Sequence, residues 1–186
     1  MRIVAGALRG RPLVAPKGQS TRPTADRTRQ AVFNILEHAP WSAGLAGRRV
    51  IDLFSGSGAL GVEALSRGAT FCLFVETDQG ALAAIRRNLE ALGLSDRSRV
   101  DRRDATALAP RAASDEPFDI AFLDPPYGKG MGEKALAHLA SGNWLACGAL
   151  VVLERGAGEA GLVAPGFEAL DLRDYGAARV HFLRAP

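Results

Sequence analysis

The chain has 186 residues, 47% apolar and 23% charged, with 21 Gly, 10 Pro and a net charge of +3. That composition excludes intrinsic disorder, collagen and coiled coil, and its longest apolar run, Ala149 to Leu153, is far short of the roughly 20 residues a membrane span needs. Seven basic residues against Asp26 alone put a charge of +6 on residues 1–30, leaving −3 on the rest, so a basic arm on a mildly acidic body predicts a polyanionic partner, most simply a nucleic acid. That N-terminal stretch lacks the apolar segment of a secretory leader, and Cys72 and Cys147 both sit in apolar runs. Two buried free thiols and a cytoplasmic protein are therefore expected.

Residues 1–20 alternate short apolar runs with Gly and Pro, which predicts extended or hairpin structure. Thr24 is a candidate helix N-cap. After it Thr28, Val32, Ile35, Leu36 and Ala39 recur at helical spacing until Pro40. The arm, residues 1–40, is expected to dock through this helix with Arg22, Arg27 and Arg29 facing outward. From residue 41 onward a single domain is expected. Apolar strands at Val50–Phe54, Phe71–Val75, Arg99–Arg102, Phe118–Leu123 and Leu150–Glu154 alternate with helices at Gly58–Arg67, around Leu82–Leu92, near Thr106–Ala112 and at Gly132–Ala140. Such alternation predicts an α/β fold with a mostly parallel sheet covered on both faces. Phe167–Arg173 and Arg179–Arg184 flank Tyr175-Gly-Ala too closely for a crossover, so they predict a C-terminal antiparallel hairpin.

Chemistry concentrates at the ends of these strands. Gly56, Gly58 and Gly61 form a G-x-G-x-x-G array between the first strand and its helix, where the backbone of such sheets approaches a nucleotide. The array fits a dinucleotide as well as S-adenosylmethionine. Asp52 separates the two, because a carboxylate at the strand end repels pyrophosphate and suits an ammonium and a sulfonium. Glu76 ends the second strand, placed for both ribose hydroxyls of either ligand. Asp104 is a candidate acceptor for an adenine amino group, or the N-cap of the helix beginning at Ala105, or both. Phe54, Ser57, Thr77 and Ala105 complete the expected donor-binding set.

Past the fourth strand stands Asp124-Pro125-Pro126-Tyr127. The two prolines fix the backbone and leave the Pro125 carbonyl free beside the Asp124 carboxylate. Two acceptors on an exocyclic amine can turn its delocalised lone pair toward an electrophilic methyl, and Tyr127 offers a ring for the base to stack on. Transfer from an already activated donor is mainly positioning and electrostatics, so no metal is expected; the three histidines show no ligand spacing.

The glycine loop, Glu76, Asp104 and Asp124-Pro-Pro-Tyr127 together resemble class I S-adenosylmethionine-dependent amino-methyltransferases. Arg2-Ile-Val-Ala-Gly, Arg9-Gly-Arg-Pro-Leu, Arg22-Pro-Thr-Ala-Asp-Arg-Thr-Arg and Phe33-Asn-Ile-Leu make the chain similar to the RsmD family over nearly its whole length. The resemblance implies a Rossmann-like, seven-stranded sheet with a small N-terminal extension, and methylation of guanine N2 in small-subunit (16S) ribosomal RNA within an assembling subunit. It also implies donor contacts from Gly56, Gly58, Glu76 and Asp104, and handling of the base by Asp124 and Tyr127. RNA contacts are expected from Arg2, Arg9, Arg11, Arg22, Thr24, Arg27 and Arg29, and the protein is expected to act as a monomer. Three rivals stay open: a DNA adenine-N6 methyltransferase, an idle RNA-binding assembly factor, and a nicotinamide-dependent oxidoreductase.

Overall fold

The computed structural model describes residues 1–16 and 23–186, without the side chains of residues 23–25. Its elements in chain order are α1 (Pro23–His38), β1 (Arg49–Leu53), α2 (Ala59–Ser66), β2 (Phe71–Glu76), α3 (Gln79–Leu92), β3 (Ser98–Arg102), β4 (Phe118–Leu123), α4 (Met131–Ser141), β5 (Leu145–Gly156), β6 (Glu168–Tyr175) and β7 (Ala178–Arg184). One seven-stranded sheet has the order β3-β2-β1-β4-β5-β7-β6. Strands β1 to β5 run parallel, and β7 lies antiparallel between β5 and β6. The expected α/β fold with its closing hairpin is the fold observed.

Strand alternation divides the core into two layers. Val50, Phe74, Phe122, Val152 and Phe182 face the layer that holds Val32, Phe33 and Leu36 of α1, Val62 and Leu65 of α2, and Ile85 and Leu89 of α3. Ile51, Leu53, Val75, Leu123 and Leu153 face the other, against Leu136 and Leu139 of α4 and Trp144. The arm belongs to the first layer, since Ile3 and Leu13 are buried in it.

Backbone bonds fold the arm on itself: Ile3 N–H donates to the Arg11 carbonyl, and Leu13 N–H to that of Met1, both at 3.0 Å. Glu63 of α2, 1% exposed, then accepts from the N–H groups of Val4 and Ala5 at 2.8 and 2.9 Å. Gly6 passes so close to α2 that a Cβ would stand 2.0 Å from the Ser66 carbonyl oxygen. Only a residue without a side chain fits there.

Several expectations are corrected. Helix α1 begins at Pro23, so Thr24 lies inside its first turn rather than capping it; proline suits that first position because its missing N–H would have no partner. Arg29 is 6% exposed and does not face outward. Its Nη2 donates to the Arg2 carbonyl at 2.7 Å and to Asp26 at 3.0 Å, with Glu63 at 3.8 Å. The expected helix over residues 106–112 is a single 3-10 turn, Ala105–Ala107, because Pro110 can neither donate nor let its neighbour continue a helix. Cys147 is exposed, since β5 starts earlier than its apolar run and Cys147 falls where its register with β4 shifts; Cys72 is buried as expected. Arg22 lies outside the described residues, as does the side chain of Thr24.

Candidate active site

Leu53, Val75, Leu123 and Leu153 share one row across the sheet. The next residue of each strand therefore sits on the carboxyl rim, and in spatial order these are Glu76, Phe54, Asp124 and Glu154. Asp52 stands one step below, on the face toward α2. Four carboxylates thus line one edge of the sheet.

The glycine loop holds its shape through these acids. Gly56 and Gly58 have φ of +52° and +76°, a left-handed backbone that glycine adopts without a steric cost. Gly56 N–H donates to Glu76 Oε2 at 2.9 Å, and Gly61 N–H to Asp52 Oδ2 at 3.0 Å. Gly61 itself is buried against β2, where a Cβ would stand 2.3 Å from the Phe74 ring, so no side chain fits there. Phe54 carries a positive φ of 59°, rare for a bulky residue. Buried Asn88 of α3 accepts from Val14 N–H at 2.8 Å and donates to the Ser57 carbonyl at 3.3 Å, tying arm to loop. The other Glu76 oxygen accepts from Thr77 N–H at 2.7 Å.

Asp104 accepts from Thr106 N–H at 2.8 Å and from its hydroxyl at 2.7 Å, capping the 3-10 turn. These bonds hold its carboxyl below the usual range, and buried Ala105 follows it. The cap reading of Asp104 is the one with observed bonds.

Electrostatically the rim is crowded with negative charge. Burial pushes the Asp52 carboxyl well up, opposed by the Gly61 amide, and Asp124 and Glu76 push it further. Asp124 is raised to about 7, first by the surrounding protein and then by Glu154, although its open face to solvent screens part of this. Among the described residues no salt bridge reaches Asp52, Glu76, Asp124 or Glu154. A row of carboxylates without a cation partner among the described residues, beside a glycine loop, suits a ligand carrying positive charge and ribose hydroxyls, and it opposes a pyrophosphate. The residues present therefore fit S-adenosylmethionine better than a dinucleotide.

Pro125 is buried against α4, Pro126 is exposed, and Tyr127 is 44% exposed. The Tyr127 hydroxyl donates to Glu154 Oε1. Burial and that bond hold its proton firmly, so Tyr127 stays a neutral phenol. Its ring lies over the backbone of Gly156, where a Cβ would be 3.3 Å from it. Glu159 accepts from Gly156 N–H at 2.8 Å and pairs with buried Arg155 at 3.3 Å. Glu154, Glu159 and Arg155 escaped the sequence reading. Glu154 closes an apolar strand as Glu76 does, and that signal could have found it.

Arg2, Arg9 and Arg27, with Asp26 and Gln30, line a cavity of about 310 Å³ between the arm and α1. Arg11 is exposed, with one guanidinium nitrogen on the Ala91 carbonyl at 3.1 Å. The described arm thus presents Arg2, Arg9, Arg11 and Arg27, but not Arg29.

A family model described as "Conserved hypothetical protein 95" matches residues 1–184. The chain is 44% identical over 128 residues to the putative rRNA methyltransferase YlbH of Bacillus subtilis, covering 68% of this chain and 67% of that one. It is 36% identical over 154 residues to the ribosomal RNA small subunit methyltransferase D of Escherichia coli, covering 83% and 74%. In three dimensions it is similar to the putative methyltransferase yhhF of Escherichia coli, with a TM-score of 0.83, 30% identity and coverage of 100% and 97%. With the model spanning all but two residues and relatives above 30% identity over most of the sequence, this chain belongs to the RsmD family of methyltransferases.

Proposed function

We propose that this protein transfers a methyl group from S-adenosylmethionine to the N2 amine of a guanine in small-subunit (16S) ribosomal RNA. The observation that carries the reading is Asp124, unpaired on the carboxyl rim, between the glycine-loop acids on one side and the Tyr127 ring on the other. The names of its relatives supply the class of RNA. The donor brings an electrophilic methyl on a sulfonium, so the protein's task is to place and polarise the acceptor. Glu76 and the left-handed glycine loop would receive the ribose and the amino-acid end of the donor, while Asp52 would favour its positive charge. The Asp124 carboxylate and the Pro125 carbonyl accept from the amine N–H groups and turn its lone pair toward the methyl. The bound donor would supply the methyl and leave as a neutral thioether, and Asp124 would take up the proton the methylated amine gives up and pass it to water.

The test uses small ribosomal subunits from bacteria lacking their own enzyme of this family, with donor labelled in the methyl group. Labelled N2-methylguanine at one position is expected. Asp124→Ala should lower transfer about a hundredfold or more, the scale for loss of one preorganised polar group, with donor affinity little changed. Label on an adenine, or none in the RNA, rejects the reading.

A further inference from the structure

The Asp124 motif can hold any exocyclic amine, so something else must tell one base edge from another. We infer that Glu154 is the specificity-determining residue of the target-base site. With Asp124 it forms a pair of adjacent acceptors that takes an edge bearing two neighbouring N–H donors and rejects one where a ring-nitrogen lone pair adjoins the amine. This rests on the guanine-N2 reading above and deepens it.

Placement comes first. Leu123 and Leu153 are register partners in parallel strands, so Asp124 and Glu154 are neighbours on the rim, with the strands about 4.8 Å apart. Glu154 lies on the far side of Asp124 from Glu76, where the acceptor base rather than the donor must enter. It is half-buried, and its Oε1 takes the Tyr127 hydroxyl. Among the described residues Oε2 accepts from nothing. The Tyr127 ring is backed by Gly156 on one face and is open to stack on the other. A base stacked there presents its edge to Asp124 and Glu154 together.

Chemistry then selects the base. Ionised carboxylates accept and never donate. Guanine carries N1–H beside its N2 amine, so both acceptors are satisfied. Adenine and cytosine each place a lone pair beside their amine, which would oppose a carboxylate across a buried contact. Glu159 does not share in this reading. Its carboxylate is taken by Gly156 N–H and Arg155, and Arg155 is itself held by Glu133 at 2.8 Å, so no cation of that cluster is free to pair with Glu154.

The experiment uses subunits reconstituted with 2-aminopurine at the mapped target. This base keeps the N2 amine but exchanges N1–H for a lone pair. The unaltered protein should methylate it at least tenfold more slowly than guanine. Glu154→Gln, whose amide can donate as well as accept, should narrow that ratio at least fivefold at unchanged donor affinity. Equal rates on the two bases with the unaltered protein overturn the inference while guanine-N2 transfer itself stands. A ratio untouched by Glu154→Gln also overturns it, because Glu154 would then only hold the ring. If guanine N2 receives no methyl at all, the proposed function fails first.

Discussion

Asp52 is costly to the fold that contains it. Its carboxyl is 1% exposed and raised by burial and by Asp124 and Glu76, so the folded state binds a proton more tightly than the unfolded chain does. Stability therefore falls as pH rises from the ordinary carboxylate range through the raised value, and is lowest once Asp52 is ionised. Asp52→Asn keeps an oxygen for the Gly61 amide and removes the charge. At pH 8 it should raise the melting temperature of the donor-free protein by about 2–4 °C, the equivalent of roughly 1 kcal/mol at this size, while weakening donor affinity. A lower melting temperature, measured by calorimetry, would contradict this. Asp124 must be ionised to accept from the amine, so kcat/KM should rise with pH along a limb near its raised value of about 7. Asp52, Glu76, Glu154 and the Tyr127 phenol surround it, and Glu154→Gln should move that limb to lower pH. An unmoved limb would detach Glu154 from Asp124. Acids that close apolar strands were legible at Glu76 and Asp124. Glu154 closes an apolar run too, so the same signal marks it, but its place beside Asp124 follows only from the order of strands.

On the scale of single elements, Arg29 shows where periodicity was legible and misread. The 3.6-residue spacing that turns Val32, Phe33 and Leu36 inward places Arg29 on the same stripe, three, four and seven residues earlier. Its partners, the Arg2 carbonyl and Glu63, come from sequence positions far away, so no local pattern announces them. Arg29→Ala should cost about 2 kcal/mol by leaving the part-buried Arg2 carbonyl and buried Glu63 less satisfied. Exposed Arg27→Ala should cost almost nothing. Chemical denaturation of both variants decides, and equal stability would place Arg29 at the surface. The Asp104 segment shows a different limit, because helical spacing over residues 106–112 cannot outweigh a proline at 110.

For the whole molecule, the charge asymmetry is the feature with the widest reach. Fold class and closing hairpin were legible because apolar strands, glycines and spacing record them directly. Docking of the arm through α1 was legible too, but the burial of Ile3 and Leu13 was not, since the anchors Glu63, Ser66 and Asn88 are polar residues on α2 and α3. Once Arg29 is taken out, Arg2, Arg9 and Arg27 remain around one cavity, and we propose them as phosphate ligands. Replacing all three with Ala should weaken RNA binding and flatten the slope of log affinity against log salt by about 2, at roughly 0.7 per phosphate on single-stranded RNA. An unchanged slope would leave the arm a purely architectural part. The sheet order has a further consequence for biosynthesis. The last strand made, β7, is an interior strand, and it closes the open edges of both β5 and β6. Until Ala178–Arg184 has left the ribosome, Leu150–Gly156 remains an apolar strand with an unpaired edge, prone to pairing with other nascent chains. A nascent polypeptide of this protein is thus vulnerable from the moment β5 has emerged until β7 joins it.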